Sequence, residues 1–385
     1  MKTKIIAALL AVASLAPLAQ AKGGDDKIKV LSRNIYLGAD IFPVLAAAQN
    51  PDPLAVPLAV TEVFQTAQAT NFPERAAALA DEIARHSPDV IGLQEVSIWS
   101  TQIPGDFLAG NPTAANDTVY DFLAILQANL QARGMDYEVA ASVDNADIEL
   151  PFVAGVTAQG PILGDVRLQD RDVTLVRSGI QYSNEFSGNF TYNGVVDING
   201  VQASFTRGYN MIDVNVKGAE YRFVNTHLEV GGSEPFKSLQ AVQMNELLTL
   251  VGATSNPNIP VIMVGDFNSD PREEAFIGQS GIPGLDGLQL APPYLQALLG
   301  GYGDTWTMQK KIKGTGYTCC FDDAVSDETA ELSSRIDHVF IKENGRPVGR
   351  SKSKVLGNSA ADMTDASDLY PSDHAGVYAK IRFID

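Results

Sequence analysis

Apolar and polar positions follow two periods along the chain, and together they predict strands joined by helices. Residues 27–38 carry an apolar run that ends in polar side chains, which is typical of a buried strand with a polar end. Residues 73–86 begin with proline and place Leu79 and Ile83 on one face of a helix. The run 89–96 is apolar again. These segments predict a β-α-β unit.

The rest of the chain repeats this alternation around a region of strands. Residues 137–216 contain short β-branched and aromatic runs separated by glycine and asparagine turns, which predicts an antiparallel meander. The later segments predict, in order, a strand at 220–230, a helix at about 235–251, and strands at 260–271, 335–342 and 376–384. We therefore expect an α+β fold, a four-layer sandwich of two packed mixed β-sheets flanked by helices.

The pattern favours one domain over residues 28–385. No glycine-rich or proline-rich linker, charge block or short repeat divides this range. Residues 39–71 are alanine-rich helical pieces interrupted by prolines, and they read as an insertion between the first strand and the first helix.

The first 21 residues have the pattern of a secretory signal peptide. Lys2 and Lys4 precede an apolar run, and Ala19-Gln20-Ala21 fits a cleavage site. A membrane anchor is disfavoured because the run is shorter than the ~20 residues that span a bilayer. We expect a secreted or periplasmic protein that is monomeric and has no stable membrane anchor.

Composition and charge limit the classes of function that the chain can have. The chain has 28 Lys and Arg residues and 46 Asp and Glu residues, which gives a formal charge of -18. This charge disfavours a broad basic surface for sequence-independent nucleic-acid binding. A local basic groove would not be visible in this sum. The two cysteines, Cys319 and Cys320, are adjacent, so the chain is not a disulfide scaffold. They could form a vicinal disulfide, two thiols or a metal-sensitive site.

Polar residues recur where the predicted strands end or begin. They are Asn34, Glu95, 225–227, 266–268 and 372–374. Asp, Glu and Asn are costly to bury unless they are paired or bound to a cation. We therefore expect these side chains to converge in one crevice, as in active sites built on a scaffold of strands.

These residues also carry a family resemblance. The motifs LSRN, LQEV, VNTHL, VGDFNSDP, RIDH and PSDH, in this order, resemble the endonuclease/exonuclease/phosphatase superfamily. That superfamily includes DNase I, abasic-site endonucleases, bacterial sphingomyelinases and inositol-polyphosphate 5-phosphatases. The resemblance spans Asn34 to His374 and implies a DNase I-like fold.

Three residues are candidate metal ligands. Mg²⁺ prefers oxygen ligands, usually one or two carboxylates with waters and substrate phosphate. Glu95 is the principal candidate, Asn34 is a second unless it only forms a turn, and Asp373 is a third. Mn²⁺ or Ca²⁺ would suit the same ligands.

Three further residues fit proton transfer. His374 is the expected general base, and Asp337 would fix its tautomer through the other ring nitrogen, a pairing that the resemblance also implies. His227 would protonate or hydrogen-bond an oxygen of the phosphate, a feature that resembles the DNase I, sphingomyelinase and inositol-phosphatase branches. His338, next to Asp337 in a strand, should face the other way and be structural, and His86 should be a cation at a helix end.

The remaining candidates would contact the phosphate. Asp266 and Asn268 are expected on one side of the strand end, with Phe267 in the core. Asp266 would bind metal or position the attacking water, and Asn268 would donate to phosphate oxygens. Arg207 and Tyr209 are candidate substrate-binding residues, although Arg207 could equally be a surface arginine.

The sequence thus predicts a secreted Mg²⁺-dependent phosphoesterase that uses an activated water. Its substrate would be a lipid headgroup or a small phosphodiester or phosphomonoester, and nucleic acid would be a partner only as a substrate. The alternatives are a secreted DNase I-like endonuclease and a non-catalytic binding protein on the same fold.

Overall fold

The computed structural model describes residues 26–109, 113–198, 201–279, 281–282 and 284–384, with only the backbone of 201–202. The expected signal segment 1–21 lies outside these residues. Within the described ranges, no helix combines the length and the apolar character needed to cross a bilayer.

The strands are distributed along the whole described chain. They are β1 (Lys27–Asn34), β2 (Val90–Gln94), β3 (Ile98–Gln102), β4 (Asp117–Asp121), β5 (Tyr137–Thr157), β6 (Gly160–Arg177), β7 (Gln181–Asn189), β8 (Gly194–Ile198), β9 (Val201–Phe205), β10 (Gly208–Val216), β11 (Ala219–His227), β12 (Val261–Asp266), β13 (Phe276–Ile277), β14 (Gln289–Leu290), β15 (Gly303–Asp304), β16 (Asp337–Lys342), β17 (Val348–Leu356) and β18 (Gly376–Phe383).

The helices lie mostly in the connections between strands. They are α1 (Phe42–Ala47), α2 (Ala55–Ala69), α3 (Phe72–His86), α4 (Phe122–Ala132), α5 (Phe236–Thr254) and α6 (Pro293–Leu299), with short 3-10 helices at Phe107–Ala109 and Ala360–Asp362.

Two mixed sheets form the centre of the molecule. The larger has the order β17-β18-β1-β2-β6-β3-β4, and β5 pairs with the other edge of β6. The smaller has the order β15-β16-β12-β11-β10-β7. The pairs β1·β2 and β11·β12 are parallel, and their neighbours are antiparallel. The parallel pairs bring the carboxyl ends of four strands to one region, which prepares the site described below.

Apolar side chains fill three layers around these sheets. Between the sheets, the larger contributes Val30, Val90 and Val176, and the smaller contributes Phe223, Ile262 and Val339. The helices α1 to α4 cover the outer face of the larger sheet, and α5 and α6 cover that of the smaller one. The predicted four-layer α+β sandwich is confirmed.

The two sheets approach closely next to the site. A Cβ at Gly92 would lie 2.5 Å from Cγ2 of Val264 and 2.6 Å from Oδ1 of Asn225. Gln94 donates from Nε2 to that Oδ1 at 2.6 Å, and Nδ2 of Asn225 donates to the carbonyl of Leu93 at 3.1 Å. These hydrogen bonds cross from one sheet to the other and hold the strand ends in position.

Most predicted elements are present, with differences in the meander. The helix predicted at 73–86 is α3, and the one at about 235–251 is α5. The meander is dominated by the hairpin β5–β6, which is longer than the short runs suggest, and α4 lies in a region to which the sequence pattern assigned no element. The segment 39–71, predicted as an insertion, forms α1 and α2.

Candidate active site

The ends of central strands place the predicted site residues next to one another. Asn34 ends β1, His227 ends β11, Asp266 ends β12 and Asp337 begins β16. In the ladders of the smaller sheet, Asp266 lies opposite both His227 and Asp337. The site is therefore a consequence of strand register.

The backbone turns sharply just after these strands. Tyr36, Glu95 and Asn268 have φ values of 60°, 58° and 49°, in the left-handed region that residues other than glycine seldom adopt. Glu95 separates β2 from β3, which both pair with the same edge of β6. Strained backbone of this kind clusters at functional sites, and here it sets the direction of the carboxylate and the amide.

One side of the site is built on amide and carboxylate groups. Nδ2 of Asn34 donates to Oε1 of Glu95 at 2.8 Å and to Oδ2 of Asp266 at 3.2 Å. The backbone N–H of Tyr36 donates to Oδ1 of Asn34, and that of Leu37 donates to Oε2 of Glu95. The structure therefore brings Asn34, Glu95 and Asp266 together.

The opposite side carries two histidines. Nδ1 of His374 donates to Oδ2 of Asp337 at 2.8 Å, as predicted for a positioned imidazole. Its Nε2 lies 3.7 Å from Oδ2 of Asp266, and Nε2 of His227 lies 3.5 Å from the same oxygen. Asp266 is thus shared by both histidines and by Asn34.

The two histidines have opposite electrostatic environments. Burial alone would lower the pKa of His374, but the carboxylates of Asp337, Asp266 and Asp373 raise it well above its usual value. Burial lowers the pKa of His227 far below its usual value, and the charge of Arg207 lowers it further. Without a bound cation, these surroundings favour the protonated form of His374 and the neutral form of His227.

Asn268 and Arg207 both contact His227. Nδ2 of Asn268 lies 3.3 Å from Nε2 of His227, and Nη1 of Arg207 lies 3.1 Å from Nδ1. Arg207 also lies 3.6 Å from Glu229, and its side chain is only 15% exposed, so it is not a surface arginine. Phe267 packs in the core with side chains of α5 and α6, as expected.

Tyr209 is not part of the site, and its predicted role in substrate binding is wrong. It is 6% exposed and packs against the rings of Phe186 and Phe190 on the outer face of the smaller sheet. Successive side chains of a strand point to opposite faces, and it is Asn210 that faces the other sheet, where it accepts from Thr174.

The other two histidines are structural. Nε2 of His338 contacts the carbonyl of Ser269 at 2.9 Å, on the face of β16 away from the site, as predicted. His86 is not the expected helix-end cation, because burial and the nearby charge of Lys354 lower its pKa. Its ring stacks on Tyr378 instead.

Two further carboxyl groups belong to the site and were not predicted. Asp170 and Asp172 are buried side chains of β6, and Nδ2 of Asn145 lies 3.5 Å from Oδ2 of Asp170. Burial raises the pKa of Asp170 to about 7, and the charge of Glu95 contributes. Burial and Asp170 raise the pKa of Asp172 well above its usual value. Their only signal in the sequence is the pair of acids in QDRDVTL, a segment that otherwise reads as a core strand.

The donors around Glu95 fit a hard divalent cation. Burial raises the pKa of Asp266 and of Asp373 to about 7 each, since several carboxyl groups share a small volume. The buried Oδ1 of Asp337 has no hydrogen-bond partner. Oxygen-rich, carboxylate-rich sites of this type suit Mg²⁺, Mn²⁺ or Ca²⁺. Glu95 would hold the cation, with Asp266 and Asp373 close to it. Asn34 would join as a ligand only with its amide turned, because its Nδ2 faces Glu95 and Asp266 and its Oδ1 accepts from Tyr36.

The cysteine pair lies at the edge of the site. The structure pairs Cys319 and Cys320 as a vicinal disulfide, one of the alternatives left open above. Sγ of Cys320 lies 3.9 Å from Nε2 of His374. The loop that carries them precedes β16 and Asp337.

Two packed mixed sheets flanked by helices, with carboxylates and histidines at the ends of the central strands, define a DNase I-like protein of the phosphoesterase type. The model of the Endonuclease/Exonuclease/phosphatase family matches residues 63–374, and the chain belongs to this family.

Two solved structures share this fold at low sequence identity, and a third gives a lower TM-score. A mannosyl-6-phosphatase from Bacteroides thetaiotaomicron has a TM-score of 0.52 and 15% identity, covering 93% of this chain and 100% of that one. An endonuclease/exonuclease/phosphatase family protein from Bacteroides thetaiotaomicron gives 0.52 and 16%, covering 93% and 98%. TDP2 from C. elegans gives 0.48 and 16%, covering 92% and 75%. No curated protein matches the chain.

Proposed function

We propose that this protein is an exported, single-domain, Mg²⁺-dependent hydrolase of phosphate esters. The observation that carries the proposal is the contact of Asp266 with Asn34, His227 and His374, all within 3.7 Å of one carboxylate oxygen. Such a cluster would not stabilise a protein core, because burying carboxyl groups costs free energy unless a cation or a positive partner is present.

Each group in the cluster has a role in water attack on phosphorus. The His374–Asp337 pair would accept the proton of the water, and Asp266 would orient that water. A bound divalent cation would neutralise the carboxylates that now raise the pKa of His374, and would polarise a phosphate oxygen. Asn268 and the neutral His227 would hydrogen-bond the oxygens on which charge builds, and Arg207 would stabilise that charge.

Hydrolysis of bis-p-nitrophenyl phosphate tests this proposal. We expect release of nitrophenolate with Mg²⁺ and none with EDTA. If the folded protein releases none from this diester or from the monoester p-nitrophenyl phosphate with Mg²⁺, Mn²⁺ or Ca²⁺, the fold serves binding without catalysis. A panel of sphingomyelin, phosphatidylinositides, inositol phosphates, a phosphorylated sugar and plasmid DNA then distinguishes the substrate classes.

We favour a lipid headgroup or a small phosphate ester as the substrate, because the acidic chain and the buried site suit one phosphate group. Such a substrate predicts a shallow dependence of KM on salt. A substrate held through several phosphates would instead lose affinity steeply, with log K falling by about 0.9 per phosphate contact.

One feature favours the second candidate function, a secreted endonuclease. A groove of about 1150 Å³ lies between the loop before the cysteine pair and β17. Its lining includes the cations Lys310, Lys311, Lys313, Arg350, Lys352 and Lys354, together with one acid, Glu331. Among the described residues, no carboxylate lies within 4.0 Å of these cations. Lysines on an edge strand also guard against aggregation, but this does not account for the three on the loop.

A matched pair of charge reversals distinguishes the two candidates. Lys311→Glu places an acid in the groove, and Lys217→Glu does the same at the β10–β11 turn, away from it. If the enzyme is an endonuclease, Lys311→Glu raises KM for DNA severalfold and Lys217→Glu does not. Equal KM values for both variants, with a shallow salt dependence, support the small-substrate proposal.

A further inference from the structure

The vicinal cysteine pair directly adjoins the histidine of the candidate active site. Cys320 is exposed and Cys319 is 4% exposed. Sγ of Cys320 is 3.9 Å from Nε2 of His374, and ligand atoms of both cysteines and this histidine lie within 4.8 Å of one another. Because Nδ1 of His374 forms a hydrogen bond with Asp337, Nε2 is the ring nitrogen that faces the sulfur atoms.

Hydrogen bonds hold the cysteine loop to the site. The hydroxyl of Thr318 accepts from the backbone N–H groups of Ile336 and Asp337, and its carbonyl accepts from Ala375 at 2.7 Å. The backbone N–H of Phe321 donates to the carbonyl of Asp373 at 2.8 Å. The residues on both sides of the pair are thus tied to the neighbours of Asp337 and His374.

We propose that Cys319 and Cys320, once reduced, form with Nε2 of His374 a site for a thiophilic divalent cation such as Zn²⁺. Two sulfurs and one imidazole nitrogen are a common zinc ligand set, with bonds of ~2.3 Å to sulfur and ~2.0 Å to nitrogen. At tetrahedral angles these lengths separate sulfur from nitrogen by ~3.5 Å, close to the observed 3.9 Å, and the two sulfurs must move apart to ~3.8 Å once the disulfide is reduced. Asp337 fixes the tautomer of the ligating ring, as carboxylates do in zinc sites.

The site is made by reduction and lost by oxidation. A thiolate of a dithiol reductant attacks the exposed sulfur of Cys320, and the S–S bond breaks to leave a mixed disulfide. The second thiol of the reductant displaces it, so the pair gains two electrons and two protons while the reductant becomes a cyclic disulfide. The cation then displaces the two thiol protons.

The consequence is inhibition that depends on redox state. A cation bound to Nε2 of His374 occupies the lone pair that would accept a proton, which rests on the proposed role of His374 as the base. The sulfur ligands select Zn²⁺ or Cd²⁺, whereas the oxygen ligands around Glu95 suit Mg²⁺. The two cations therefore bind at neighbouring positions through different atoms.

The test is a titration with Cd²⁺ in the absence of substrate. The full-length protein is reduced with dithiothreitol, desalted without oxygen, and compared with the untreated protein. We expect the ultraviolet thiolate-to-cadmium absorption band to appear in the reduced protein, saturate at a single equivalent and be absent from the oxidised protein. An equal response of both forms would overturn the proposal.

Variants assign the ligands. Cys320→Ser should abolish the high-affinity band, and His374→Ala should keep a band but weaken affinity about 10-fold or more. His86→Gln, a histidine outside the cluster, should change neither. An unchanged affinity in His374→Ala would remove the histidine from the site. The comparison of reduced and oxidised wild type needs no variant, so misfolding of one variant does not affect it.

The absorption band does not depend on hydrolysis, so it tests the cation site independently of the proposed function. In the Mg²⁺-supported nitrophenolate assay, Zn²⁺ at a slight molar excess over enzyme should inhibit the reduced enzyme by about 10-fold or more and spare the oxidised enzyme. A band without inhibition would refute the inhibitory role while the cation site stands. An enzyme inactive in all states would refute the proposed function alone.

Discussion

Glu95 combines a left-handed backbone conformation with a carboxylate that is the principal candidate metal ligand. Its left-handed φ of 58° breaks the line from β2 to β3, and its two carboxylate oxygens accept from Asn34 and from the backbone of Leu37. Such a conformation costs of order 1 kcal/mol or more and persists because neighbouring contacts fix it. The strain and the position at a strand end both point to ligand binding.

Glu95→Gln should raise the Mg²⁺ concentration needed for half-maximal activity by about 10-fold or more, because it removes one charge from a hard-cation site and keeps the shape. The measurement is a Mg²⁺ titration of phosphodiester hydrolysis. Glu138→Gln, an exposed glutamate of β5, is the matched control and should leave the midpoint unchanged. A midpoint for Glu95→Gln equal to that of the control would remove Glu95 from the metal site.

His374→Ala and Asp266→Asn should each lower kcat by ~10²-fold or more, the usual scale for general acid–base groups and their charge-stabilising partners. Single-turnover kinetics measure the effect, and circular dichroism checks folding. His86→Gln, outside the site, should retain wild-type kcat. Activity of either site variant within about threefold of wild type would contradict the assignment.

At the scale of elements, strand register is what assembles the site. The ladders put Asp266 opposite His227 and Asp337, and the contact of Gln94 with Asn225 fixes one sheet against the other. A slip of one residue would turn these side chains to the opposite face. The close approach at Gly92 sets the distance between the sheets at this point.

Gly92→Ala should destabilise the protein by about 1–3 kcal/mol, because the new methyl group would clash with Val264 and Asn225 between packed sheets. Urea unfolding followed by circular dichroism measures this. Gly252→Ala is the control: it lies in α5 with open space around it and should stabilise by about 0.5–1 kcal/mol. If both substitutions are neutral, the sheets do not require glycine at 92.

The sequence predicted the elements better than it predicted which faces meet. Asn34, Glu95 and Asp266 were identifiable because acids and amides at strand ends interrupt apolar runs. Asp170 and Asp172 were missed because they lie inside a strand whose other residues read as core, and their burial depends on pairing with distant strands. Tyr209 was assigned wrongly because alternation along a strand gives two faces without saying which one meets the site.

At the scale of the molecule, net charge conceals the distribution of charge. The chain carries -18 overall, yet cations gather at the groove next to β17, and acids gather at the strand ends. The net charge disfavoured binding to a polyanion. Only the fold could show that lysines distant in sequence line one groove. The same folding brings together buried carboxyl groups that repel one another when ionised.

This repulsion makes the stability of the metal-free protein depend on pH. The pKa values of Asp170, Asp266 and Asp373 are raised to about 7, whereas in the unfolded chain these groups ionise near pH 3.8. Above that pH the folded chain holds more protons than the unfolded chain at these groups, so their effect is a loss of stability as pH rises through about 7. The raised pKa of His374 acts in the same direction above pH 6.5. The pKa values of His227 and His338 are lowered, so above pH 6.5 both side chains are neutral in the folded and in the unfolded chain.

We therefore expect the melting temperature in EDTA to fall between about pH 6.5 and pH 8, and Mg²⁺ to raise it more at the higher pH, where the carboxylates are ionised and ready to bind. Differential scanning calorimetry in matched buffers measures both effects. Asp170→Asn, which removes one of the raised groups, should flatten the pH dependence without Mg²⁺. A melting temperature in EDTA that rises over this range would mean that these carboxyl groups do not repel one another as their positions require.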